Sequence, residues 1–137
     1  MHDTRSTKIV TCFLTNGEKI LLLKRSNKVR SMRELWAGIS GIIEKDELPI
    51  ARAKIEIFEE VGLDDEQIRL VKEAEKMRIV SPQYKNHEWE VFPFLFETKN
   101  PEVKLNWENS EYNWIKVEDM SNYDTVPSLK KVLLNLL

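Results

Sequence analysis

The chain has 137 residues, 42% of them apolar, which suits a single domain over 1–137 with a sizeable core and would cramp two. Its 21 basic residues against 23 acidic ones leave a formal charge of -2, so no general attraction to nucleic acid or to an anionic membrane is expected. One cysteine excludes a disulfide framework, two histidines exclude a histidine-rich metal site, and no apolar run approaches the roughly 18 residues of a membrane helix.

The opening "MHDTRSTK" lacks the apolar centre of a signal peptide, and a cytoplasmic protein is the expectation. A hairpin comes first: "KIVTCFLT" (8–15) and "KILLLKR" (19–25) flank Asn16-Gly17, a pair suited to a two-residue turn. The continuous "ILLL" predicts burial on both faces, and Cys12 inside its strand reads as a buried thiol. "SNKVRSMREL" (26–35) is a polar, basic loop, and "WAGISGIIEKDE" (36–47) a short extended segment bending into a loop.

A helix is expected over 48–61, with Pro49 tolerated in its first turn and Gly62 as its stop. Strands follow near 68–80 and 88–98, and Pro93 in the second asks for an edge or a bulge. "YNWIKV" is a short strand, 118–123 a turn or short helix, and "VPSLKKVLLNLL" a terminal helix with Leu129, Val132, Leu133 and Leu136 at helical spacing. Together these imply an α/β or α+β layered domain. The terminal helix can pack on the sheet or contribute to a dimer, so monomer and homodimer both stay open.

On a helical wheel, Ile50, Ala53, Ile57, Val61, Phe58, Ala51 and Ile55 fill a broad apolar arc, and Arg52, Glu56, Glu59 and Glu60 the other side. Glu56 lies three residues from Glu59 and four from Glu60, so the carboxylates converge on one patch although like charges so placed repel. A divalent cation offsets that repulsion, and oxygen ligands suit magnesium or manganese better than zinc. Gly41 and Glu47 lie in the segment before the helix, where a glycine permits close backbone approach and the loop can fold across the acids.

"GIIEKDELPIARAKIEIFEEVGL", from Gly41 to Leu63, resembles the Nudix box of MutT-like hydrolases, matching at Gly41, Glu47, Glu56, Ile57, Glu59, Glu60, Gly62 and Leu63. The resemblance implies a Nudix-like α/β/α sandwich with a mixed sheet, an α/β (α+β) fold. It implies Mg2+ or Mn2+ and water attack on phosphorus in the diphosphate linkage of a nucleoside triphosphate or other nucleoside diphosphate derivative. Glu56 and Glu60 match the principal metal ligands, Glu59 the carboxylate that binds a further metal or takes the water's proton, Glu47 the supporting loop glutamate, and the Ser40 carbonyl a further metal contact. Ile55 stands where the box has arginine; Arg52, four residues before Glu56, is the candidate substitute. That departure keeps a second reading open, a non-catalytic nucleotide-binding regulator with a degenerate site.

Outside the box, Glu111 resembles a late glutamate that approaches the metal site in several relatives, with Glu108 and Glu90 as competitors. Arg25 and Arg30 are phosphate-contact candidates. Trp36 is either core or cleft wall. Tyr84, Trp89, Phe92 and Phe94 are candidates for stacking on a base, with sheet packing the competing role. An isoprenoid diphosphate isomerase is disfavoured, because "WAGISG" supplies no cysteine.

Overall fold

A computed structural model describes residues 5–80 and 86–137. Strands β1 (Arg5–Asn16) and β2 (Lys19–Arg25) form the expected hairpin, but its turn sits one residue later than the Asn16-Gly17 pair suggests. Thr15 faces Ile20 and Asn16 faces Lys19, which makes Gly17 and Glu18 the central residues. Only the first of them, Gly17 at φ 63°, needs positive φ, a demand that glycine alone satisfies without strain. Asn16 instead donates from its side chain to the Thr98 carbonyl at 2.9 Å.

Beyond the turn, β1 and β2 part. β4 (Ile39–Ile42) takes over beside β1, antiparallel from Ile9 against Ile42 to Cys12 against Ile39. β2 pairs with β3 (Trp36–Ala37) and β8 (Asn109–Ile115). On its other side β1 runs parallel to β7 (His87–Glu97) along its whole length, and β7 carries β5 (Arg69–Glu73) and β6 (Met77–Val80) as antiparallel partners. The expected strand over 68–80 is therefore two strands.

Their interruption accommodates Pro93, which lies in a strand flanked on both sides and not at an edge. The Pro93 carbonyl accepts from the Ala74 N–H at 3.2 Å, in the gap between β5 and β6. Carbonyl and nitrogen of one strand residue point the same way, so the missing N–H faces the gap and costs the β1 ladder nothing.

Alternate residues supply two cores. Val10, Cys12 and Leu14 of β1, Leu21 and Leu23 of β2, and Phe94 and Phe96 of β7 pack against Ala53, Ile57 and Val61 of helix α1 (Pro49–Val61). Phe13, Ile20, Leu22, Val91, Leu95 and Ile115 point to the opposite face, against Leu129, Val132, Leu133 and Leu136 in and beyond helix α2 (Leu129–Leu134). The unbroken "ILLL" follows from this layering, each fully buried leucine contributing about 2 kcal/mol. Cys12 is a buried free thiol. The result is a mixed sheet between flanking helices, and no helix among the described residues is long and apolar enough to cross a membrane.

α1 starts at Pro49 and stops at Gly62, whose φ of 74° lets its N–H close on the Phe58 carbonyl at 3.0 Å. The broad apolar arc expected for it needs correction. Ala53, Ile57 and Val61 are buried together with Glu56 and Glu60, while Ala51, Ile55 and Phe58 face solvent. Periodicity gives the apolar sector but not the rotation of the helix, and here packing against β4 turns two acids inward.

Candidate active site

β4 ends beside the middle of α1, and the backbone there is built for close approach. A Cβ on Gly41 would lie 2.2 Å from Cδ of Glu56, a distance no side chain tolerates, so glycine lets the Glu56 carboxylate lie directly against the strand. Glu56 and Glu60 are 8% and 4% exposed. Asn109, at the start of β8, donates from Nδ2 to Glu60 Oε1 at 3.2 Å, and Oε2 of Glu60 is buried with no hydrogen-bond partner. A buried carboxylate oxygen in that state costs free energy unless a proton or a cation reaches it.

The electrostatics agree. Burial raises the Glu60 carboxyl well above 4.5, Glu108 and Glu56 push it further, and Asn109 and the main chain of Ser40 oppose them. Glu56 is raised chiefly by burial, against a hydrogen bond from Arg52, with Glu59 and Glu108 adding repulsion. Cys12 beneath them is raised by burial and by both acids. Glu47 is lowered by its hydrogen bonds from Arg52 and from the Glu44 main chain.

Among the described residues, no three Asp, Glu, His or Cys side chains stand close enough to form a ready metal shell. The donor set nonetheless fits a hard divalent cation. It offers carboxylate oxygens, one of them buried and unpartnered, within electrostatic reach of Glu108.

The remaining candidates divide. Glu59 is on the exposed side of α1 beside Glu56. Ser40 sits on β4, its hydroxyl 3.4 Å from that of Thr11. Glu111 is not brought to the acids: it lies opposite Lys24 in the β2–β8 ladder and pairs with it at 3.3 Å, its side chain 59% exposed. Glu108 faces them, held in a turn where its N–H donates to Asn106 Oδ1 at 3.0 Å and its carbonyl accepts from the Ser26 N–H at 2.8 Å. Glu90 is bound on β7 by Ser6 and Lys76.

A cleft of about 400 Å³ joins Thr11, Ser40, Gly41 and Glu108 to an apolar wall that includes Ile79, Trp89, Val91, Leu129 and Val132. Arg25 also lines it, with Nε and Nη2 donating to the Ser31 carbonyl, while Arg30 is exposed in the same loop. Trp36 packs edge-on against Tyr123 with ring centres 5.0 Å apart, in the α2-side core. Phe92 and Phe94 pack with the α1-side core, and Trp89 is the described aromatic in the cleft; Tyr84 lies outside the described residues. A wider depression of about 740 Å³ around Lys19, Trp114 and Asp119 shares no lining residue with the acids.

Sequence reasoning passed over Asn109. Nothing local marks an asparagine that reaches a helix 49 positions away. The approach of Glu108 depends on the turn through Asn106, whose side chain caps the Glu108 N–H, a feature readable only once β8 has its register.

A mixed sheet between helices, with acids of one helix buried against a glycine of the adjoining strand, defines a hydrolase of the Nudix type. The NUDIX domain model matches residues 5–136, so the chain belongs to the Nudix family, whose members hydrolyse phosphoanhydride bonds in nucleotide-like substrates and typically depend on a metal. The chain is similar to a dihydroneopterin triphosphate diphosphatase of Haemophilus influenzae, at 24% identity over a 156-residue alignment covering 98% of this chain and 91% of that protein. It is also 24% identical to an RNA pyrophosphohydrolase of Bartonella clarridgeiae over 133 residues, 84% of this chain and 73% of that one. Its fold matches the MutT protein of Methanosarcina mazei Go1 with a TM-score of 0.76 at 22% identity, covering 98% and 94% of the two chains.

Proposed function

We propose that this chain is a Mg2+- or Mn2+-dependent pyrophosphohydrolase that cleaves a nucleoside triphosphate, or a related nucleoside diphosphate derivative, by water attack on phosphorus. The observation that carries the reading is Glu60 Oε2, buried without a partner and electrostatically coupled to Glu56 and to Glu108, the latter a lining residue of the cleft. Glu56 and Glu60, with Glu59 and the Ser40 carbonyl, are the groups that would hold the cation. When bound, a divalent cation neutralises phosphate oxygens and acidifies the attacking water.

The chain's own residues do the rest. Glu108, or Glu59 on the neighbouring shoulder, accepts the water's proton, in place of the salt-bridged Glu111. Arg25 at the end of β2 binds phosphate oxygens, with Arg30 on the loop that follows as a second contact. The apolar wall with Trp89 takes the group attached to the phosphates and excludes water from it. The two relatives, one named for dihydroneopterin triphosphate and the other for RNA, support a substrate with a phosphoanhydride chain and a ring system to stack.

A product-resolved assay over nucleoside triphosphates, dinucleoside polyphosphates, nucleotide sugars and triphosphate-ended RNA, with and without Mg2+ or Mn2+, tests the proposal. Metal-dependent release of pyrophosphate or a monophosphate is expected. Saturable binding with no product would replace the reading by that of a nucleotide-binding regulator.

A further inference from the structure

Ile55, at the position of the box arginine, is 39% exposed and has no group with which to hold a carboxylate. The acids are tied down all the same. Arg52 lies three residues earlier, and its Nε and Nη2 reach Oε1 and Oε2 of Glu47 at 2.8 and 2.7 Å while Nη1 reaches Oε2 of Glu56 at 3.0 Å. The Glu44 main-chain N–H closes on the same Glu47 Oε1 at 2.7 Å, which fixes the loop before α1 to the helix at one point. The side chains of Arg52, Glu47 and Glu56 are 14%, 21% and 10% exposed, so these charge-assisted bonds are only partly screened by water. A planar fork with several donors can grip two carboxylates in this way, and an ammonium cannot.

The consequence is a sorting of oxygens. Both oxygens of Glu47 accept hydrogen bonds from Arg52. Glu56 has Oε2 held between Arg52 and the bare face of Gly41, which leaves Oε1 as the oxygen that Arg52 does not hold. Asn109 does the same for Glu60, holding Oε1 and leaving Oε2 without a partner.

We propose that Arg52 is the positioning residue of this acidic site, doing from three residues earlier the work that the family pattern gives to an arginine at 55, with Glu47 as its anchor and not a cation ligand. The inference rests on the hydrolase reading to the extent that the oriented carboxylates hold a divalent cation. Mn2+ affinity, measured on the full chain by loss of the free-ion spin-resonance signal, is therefore compared with kcat and KM for wild type, Arg52→Ala, Arg52→Lys and the double variant Arg52→Ala/Ile55→Arg. For Arg52→Ala, Mn2+ affinity and kcat are expected to fall about 10- to 100-fold with KM changed by less than about threefold, as when a residue supporting a metal ligand is lost. The double variant is expected to recover about tenfold in Mn2+ affinity, and Arg52→Lys to fall between wild type and alanine.

Mn2+ affinity and kcat within about twofold of wild type in Arg52→Ala would overturn the assignment, as would a double variant no better than Arg52→Ala. If Arg52→Ala does not fold, Arg52→Lys decides, because wild-type Mn2+ affinity with the fork removed contradicts the proposal. A wild-type chain that binds Mn2+ but turns over nothing would end the hydrolase reading, and the Mn2+ comparison would still judge Arg52.

Discussion

α2 buries Leu129, Val132 and Leu133 and leaves Lys130 and Lys131 exposed, whereas α1 buries Glu56 and Glu60 and leaves Ile55 and Phe58 39% and 59% exposed. Both helices pack on the same sheet, one on each face. The first follows the amphipathic rule, and its burial is hydrophobic stabilisation. The second buries Ala53, Ile57 and Val61 in the same way but sets Glu56 and Glu60 beside them, and desolvated acids oppose stability unless a proton or a cation reaches them. A helix that sets charge against the core is the region whose sequence answers to chemistry before packing.

Substitutions separate the two behaviours. Leu133→Ala on α2 is expected to cost about 3 kcal/mol of stability in chemical denaturation, roughly 150-fold in the folding equilibrium, whereas Phe58→Ala on α1 stays within about 0.5 kcal/mol. Equal costs would mean that Phe58 is packed and that α1 does not turn this apolar side chain to solvent.

Gly41→Ala sharpens the contrast from the strand side. Its Cβ would stand 2.2 Å from Glu56 Cδ, so Glu56 must move. Turnover is expected to drop about 10- to 100-fold, with a destabilisation of about 1–3 kcal/mol, and steady-state kinetics beside a thermal melt would check both. Smaller again is the effect of the late acids. Glu108→Gln, which faces Glu60, is expected to lower kcat about tenfold and Glu111→Gln less than about twofold. The reverse order in kcat would return the late-glutamate role to Glu111.

Much of this was legible in the chain. The hairpin, apart from the exact position of its turn, the limits of α1 and the inward leucines of α2 followed from turn chemistry and period. The spacing of Glu56 and Glu60 marked the candidate site, and the spacing of Arg52 from Glu56 indicated their ion pair. Features that depend on a second element were not legible. The rotation of α1 is set by Gly41 on β4, the grip of Arg52 on both Glu47 oxygens needs the folded loop, and Asn109 meets Glu60 only because β8 is anchored to β2. The same holds for Pro93, whose missing donor is harmless only where β5 gives way to β6.

Glu60→Gln tests through stability whether the inward acids of α1 form a cation site. Burial first and Glu108 next raise the Glu60 carboxyl, with Glu56 adding and Asn109 and Ser40 opposing. A raised carboxyl contributes stability that is complete below its unfolded pKa and lost as pH rises through its folded one. As pH rises from acid towards neutral, metal-free wild type should therefore lose more stability than Glu60→Gln. Mn2+ at about 100 times its Kd should then restore about 2.7 kcal/mol to wild type at neutral pH and less than about 0.5 kcal/mol to Glu60→Gln. Equal stabilisation of the two proteins by Mn2+ would contradict a cation site at Glu60.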